Sequence, residues 1–158
     1  MLPEIQDTLA SLAGLRGQMA AIVAATPLAG LNWRPSLPPA ADETNSLAVL
    51  AVHSAGAEHF WFAEGIAAQP PTRQRAAEFS FVAQSAEQVL QALQAAAAES
   101  EPILAALSAA RLDETLTFNG RTRSVRGILQ HVLAHYAMHL GHMQLTYQLW
   151  AEGKAFAG

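Results

Sequence analysis

The chain has 158 residues, a net charge of −4 from 13 acidic and nine basic side chains, and no cysteine. One domain spanning 1–158 is the default at this length, and without thiols there is neither a disulfide framework nor a thiolate metal site, so any metal must be held by nitrogen and oxygen. Lys154 is the sole lysine, no segment reaches ~18 uninterrupted apolar residues, and Pro3, Glu4 and Asp7 interrupt any leader-like pattern; no nucleic-acid partner, no membrane and a cytoplasmic setting are expected.

Ile5, Leu9, Leu12, Leu15, Met19, Ile22 and Val23 recur at three- and four-residue spacing, which predicts a first amphipathic helix ending before Pro27. The passage through Trp33, Arg34, Pro35, Pro38 and Pro39 is too proline-rich to be helical and reads as a long connection. Asp42, Thr44, Asn45 and Ser46 all suit an N-cap, and a second helix follows over Leu47–Ala67, closed by Pro70 and Pro71. Ser85 with Gln88 reads as a capping box opening a third helix that carries its apolar stripe to about Ala109, with a kink or break at Pro102. The alanine run Ala95–Ala98 lies inside that periodic segment and reads as helix.

Between Leu112 and Arg123 the pattern alternates, and Asn119-Gly120 is the dipeptide favoured by two-residue hairpin turns. Ser124 then caps the longest helix, reaching about Trp150. Four helices with one short hairpin predict an all-α four-helix bundle. Arg121, Arg123 and Arg126 form a small basic cluster, read as a solvated surface feature rather than an anion site.

Four of the six histidines, His131, His135, His139 and His142, fall within 12 residues of this last helix. At about 100° per residue they share one face, and the pair His135 and His139, four apart, can aim two imidazoles at one metal ion. The segment lacks the glutamate that follows the first histidine in helical metalloprotease motifs, so protease activity is not expected. Two ligands hold a metal weakly. His53, among Leu50, Val52 and Ala57, is the best third candidate, whereas His59 lies about 240° further round the same helix. Three imidazoles leave a position open for water or substrate, the catalytic rather than the structural arrangement. His59 and His142 read as packing or surface residues; His131 is balanced between that and a supporting role. Glu58 is a candidate base by proximity in sequence, and Tyr136 or His131 candidate orienting groups.

The stretch from His131 through His135, His139 and Gly141 to Gln144, with Leu47 to His53, Glu58 to Trp61 and the Trp33-Arg34-Pro35 passage upstream, resembles the DinB-like superfamily over nearly the whole chain. The resemblance implies an up-down-down-up bundle, commonly a homodimer, with a zinc- or nickel-class divalent metal on His53, His135 and His139. Many relatives carry arginine where this chain has Leu140 and glutamine where it has His142, so an anion contact by that arginine does not carry over. Relatives with known activity are similar to transferases and isomerases that use low-molecular-weight thiols such as mycothiol or bacillithiol, or to metal-dependent hydrolases. The expected function is accordingly metal-dependent thiol transfer or hydrolysis on a small-molecule substrate; the alternatives are a non-catalytic metal- or ligand-binding protein and a purely structural dimerisation unit.

Overall fold

The computed structural model describes residues 1–36 and 44–152; Pro38, Pro39, Asp42 and Lys154 lie outside the described residues. The elements in chain order are α1 (Pro3–Ala25), α2 (Leu28–Asn32), α3 (Leu47–His59) running on as a π-helical segment (Phe60–Ile66), α4 (Arg75–Phe79), α5 (Ala86–Ala105), α6 (Ala109–Asp113), β1 (Thr115–Phe118), β2 (Arg121–Ser124) and α7 (Val125–Trp150). The described chain is predominantly helical.

Three helix starts follow from serine caps. Ser46, Ser85 and Ser124 each accept a hydrogen bond from the backbone N–H three residues on, satisfying a donor the first turn leaves open. At Ser85 the return arm of the box reaches one residue further back than expected, because the Gln88 side chain accepts from the N–H of Gln84 at 3.0 Å. The third helix also differs from expectation at its other end. Pro102 is accommodated in the last turn, α5 stops at Ala105, and Ser108 caps the separate helix α6. Two short helices, α2 and α4, were not expected from the pattern; at five residues each they show no periodicity to read. Asn119 and Gly120 adopt φ of 47° and 70°, the left-handed pair a two-residue turn needs, and Phe118 pairs with Arg121 across it.

The four long helices pack around one core that includes Ile5, Leu12, Met19, Leu31, Leu47, Phe62, Leu104, Ile128 and Leu129, all fully buried or within 2 % of it. Both α1 and α3 pack on α5 and on α7. Side-chain contacts give their directions: Glu4 meets Arg126 while Gly30 lies under Trp150, so α1 runs with α7. His53 meets His135 while Trp61 meets His131, so α3 runs against α7. By length and composition α1 could cross a membrane, but its apolar stripe is spent on this core, and it carries the buried Arg16.

Candidate metal centre

The midpoints of α3 and α7 face one another, and three imidazoles meet in the gap. His135 Nε2 lies 3.3 Å from His53 Nε2 and 3.2 Å from His139 Nε2. Potential ligand nitrogens on all three lie within 4.8 Å of one another. A tetrahedral ion with metal–nitrogen bonds of about 2.0–2.1 Å sets its ligand nitrogens about 3.3–3.4 Å apart, so the spacing of these rings suits one such ion. The structure therefore brings together the three histidines expected, His53, His135 and His139, in a group that could hold a metal.

The protonation states suit the same use. His53 is buried, and its Nδ1 meets Glu78 Oε2 at 2.8 Å. A carboxylate partner fixes the proton on Nδ1 and leaves Nε2 as a free lone pair, the usual device for orienting a ligating histidine. Burial works to raise the Glu78 carboxyl, but hydrogen bonds and charge from Arg73 and His53 outweigh it and hold the group below the usual carboxylate range. Arg73 grips both Glu78 oxygens, at 2.6 and 2.8 Å. Burial first, and then the neighbouring imidazoles, push His135 down to about 3 and His139 to about 4. Both rings are neutral at pH 7, and their buried Nδ1 atoms have no hydrogen-bond partner among the described residues. Glu78 and Arg73 escaped the sequence reading. The only signal was a knot of charge, Arg73, Arg75 and Glu78, directly after Pro70 and Pro71.

Beside the cluster opens a cavity of about 360 Å³, reached by His53, His135, His131, Trp61, Arg73 and Arg121 among others. His131 stands edge-on to Trp61, with ring centroids 4.9 Å apart, and its pKa is lowered by burial and then by the charges of Arg123 and Arg121. It sits on the wall of the cavity and outside the ligand group. A larger cavity of about 580 Å³ lies between α3, α4 and α5, lined by alanines together with His59, Arg73, Glu78 and Glu99, but it does not reach His135 or His139. The smaller one is the functional candidate because it joins open space to His53 and His135 of the imidazole cluster.

The remaining candidates lie elsewhere. His59 pairs with Glu99 at 2.6 Å and Thr72 at 2.9 Å on the far face of α3. His142 stacks edge-on to His139 but is not in the ligand group. Glu58 is not a base at the site: it is completely buried between the helices, where Arg16, Ser100 and Tyr136 all bond its carboxylate. Tyr136 thereby bonds Glu58 rather than any of the clustered imidazoles, and its burial, with the Glu58 charge, raises its pKa well above the ordinary value. The basic cluster divides. Arg126 binds Glu4 and Asp113 on the surface, as expected, while Arg121 lines the cavity and Arg121 and Arg123 both approach the Trp61 ring.

No curated protein matches the chain in sequence. Among solved structures, the crystal structure of a conserved protein from Enterococcus faecalis is similar in fold at 16 % identity, with a TM-score of 0.73 over 96 % of this chain and 99 % of that one. The model of the DinB superfamily matches residues 3–143, which takes in α1, α3 and α5, α7 as far as Met143, and His53, His135 and His139. The chain belongs to the DinB superfamily.

Proposed function

We propose that this protein is a divalent-metal-dependent enzyme, built as an up-down-down-up four-helix bundle, in which His53, His135 and His139 hold a zinc- or nickel-class ion and leave one position open toward the cavity. The observation that carries the reading is the meeting of three imidazoles from two helices that share no local sequence, with His135 Nε2 at 3.3 and 3.2 Å from the Nε2 atoms of His53 and His139, distances near those of a tetrahedral site. When bound there, the ion would lower the pKa of a water or thiol in its open position and so supply a nucleophile near neutral pH. That chemistry fits a transferase using a low-molecular-weight thiol, or a hydrolase.

The chain's own groups have separable tasks in this scheme. Glu78 and Arg73 hold His53 in the ligating tautomer. His131, neutral at pH 7 and on the cavity wall, is placed to take a proton from a nucleophile at its free ring nitrogen. Trp61 and Phe60 form an apolar wall that excludes water from one side.

Elemental analysis of protein purified without a histidine tag or chelator tests the reading. About one zinc, nickel, iron or manganese per chain is expected, and His135→Ala is expected to lose it while keeping its helical circular dichroism. Metal content unchanged in the variant would remove the site; none in either protein would remove the metal-dependent function.

A further inference from the structure

We propose that the cavity beside the histidine cluster takes a small organic carboxylate, its anionic end held by Arg75 and Arg121 and its apolar body laid against Trp61. The inference deepens the metal-enzyme reading, resting on it for what is done to the substrate but not for how the substrate is bound.

Charge balance around the cavity makes the argument. Three guanidiniums reach it, from Arg73, Arg75 and Arg121, and one carboxylate, that of Glu64. Arg73 is already neutralised by the two-pronged contact with Glu78. Glu64 is engaged elsewhere: its Oε1 accepts the backbone N–H groups of Thr72 and Arg73, at 2.6 and 2.8 Å, and lies 3.3 Å from His59 Nε2, and it forms no ion pair with Arg75 or Arg121 among the described residues. That leaves Arg75 and Arg121 in surplus, and among the described residues neither forms an ion pair with an acidic side chain. Both lie on rings instead, Arg75 over Phe79 at 4.7 Å and Arg121 over Trp61 at 5.7 Å, which keeps the planar groups in place while leaving their N–H edges free.

The kind of anion follows from what else is present. Phosphate sites draw on backbone N–H groups at helix starts or in concave turns; of the residues lining this cavity, Arg73 spends its backbone N–H on Glu64, as its neighbour Thr72 does, and Arg75 opens only the five-residue helix α4. Guanidinium forks without a backbone cradle suit the flat, two-oxygen carboxylate. The aromatic wall of Trp61 and Phe60 calls for an organic body, and about 360 Å³ is at the small end of ligand sites, which run from about 300 to 1,000 Å³.

The test uses phenylacetate, phenylacetamide and phenyl phosphate as probes of matched body and different charge. Binding is read from the indole N–H resonance of Trp61, assigned with Trp61→Phe, in chelator-treated and in zinc-loaded full-length protein. Phenylacetate is expected to shift the resonance saturably with or without zinc, at least tenfold more tightly than the amide and more tightly than phenyl phosphate. Arg121→Gln and Arg75→Gln, at exposed positions where folding is not at stake, are each expected to weaken it severalfold; Arg126→Gln, outside the cavity, leaves it unchanged. Equal affinity for amide and acid, preference for phenyl phosphate, or indifference to both cavity arginines would overturn the proposal. Carboxylate binding that requires zinc and ignores the arginines would overturn it while leaving the metal centre intact, and the reverse pattern, arginine-dependent binding in a protein that retains no metal, would remove the metal reading alone.

Discussion

Gly56 lies one turn beyond His53 on α3, and a Cβ built there would overlap the Glu78 carboxylate, coming within 2.7 Å of its Cδ. The absence of a side chain at this one position lets Glu78 reach the His53 ring. In Gly56→Ala the added methyl competes with a flexible carboxylate rather than with backbone, so the helix stays and Glu78 leaves His53. Loss of such an orienting partner costs about 10–100-fold in metal affinity. Gly56→Ala and Glu78→Gln should both show that loss in competition with a chromophoric chelator, with circular dichroism unchanged; wild-type affinity in both would mean that Glu78 does not orient His53. His135 and His139 were legible from sequence because helical periodicity fixes which residues share a face, and His53 from its apolar neighbours and the family resemblance. Glu78 was not, since it stands 25 residues from His53 on a five-residue helix whose placement depends on tertiary packing.

Among the elements, the segment Leu47–Ala67 was legible as helical and its bounds hold to within a residue, but its last two turns are π-helical, with Ala67 N–H bonding the Phe62 carbonyl five residues back. Sequence patterning is blind to this change. Phe60 to Ile66 are all buried, so no polar face marks the period. The wider turn nonetheless matters: Glu64 points from it into the following loop and holds the Thr72 and Arg73 N–H groups, which places Arg73 against Glu78. Burial works to raise Glu64, but the two backbone donors and His59 prevail, and its pKa lies below the ordinary 4.5. A carboxyl with a depressed folded pKa adds stability above its unfolded value, and that stability is lost as pH falls toward and through the folded value. Glu64→Gln keeps an acceptor for the N–H groups but removes the charge. Urea unfolding should therefore show wild type more stable than Glu64→Gln at pH 7, with the margin closing as pH drops below about 4. A margin independent of pH would show that the charge contributes nothing.

At the scale of the whole molecule, four helical segments and a hairpin were legible from apolar stripes, serine caps and bounding prolines, but the rotation of each helix about its axis was not, because it is set by contacts between segments far apart in the chain. Glu58 shows what sets it. Arg16 from α1, Ser100 from α5 and Tyr136 from α7 all converge on its carboxylate from α3, at 2.5 Å for Arg16 and 2.6 Å for Tyr136, so a single buried group registers all four long helices. Tyr136 directly follows His135, and the bond that turns its ring inward toward Glu58 leaves His135 and His139 turned toward His53 on the neighbouring side of α7. Breaking a buried ion pair by removing one partner costs about 3–5 kcal/mol, mostly because the other charge is stranded. Glu58→Ala and Arg16→Ala should each lose stability of that order in urea unfolding, and the double variant much less than their sum, because no charge is then left alone. Additive losses would show that the two residues contribute to packing separately and that no shared polar centre sets the helix rotations on which the histidine cluster depends.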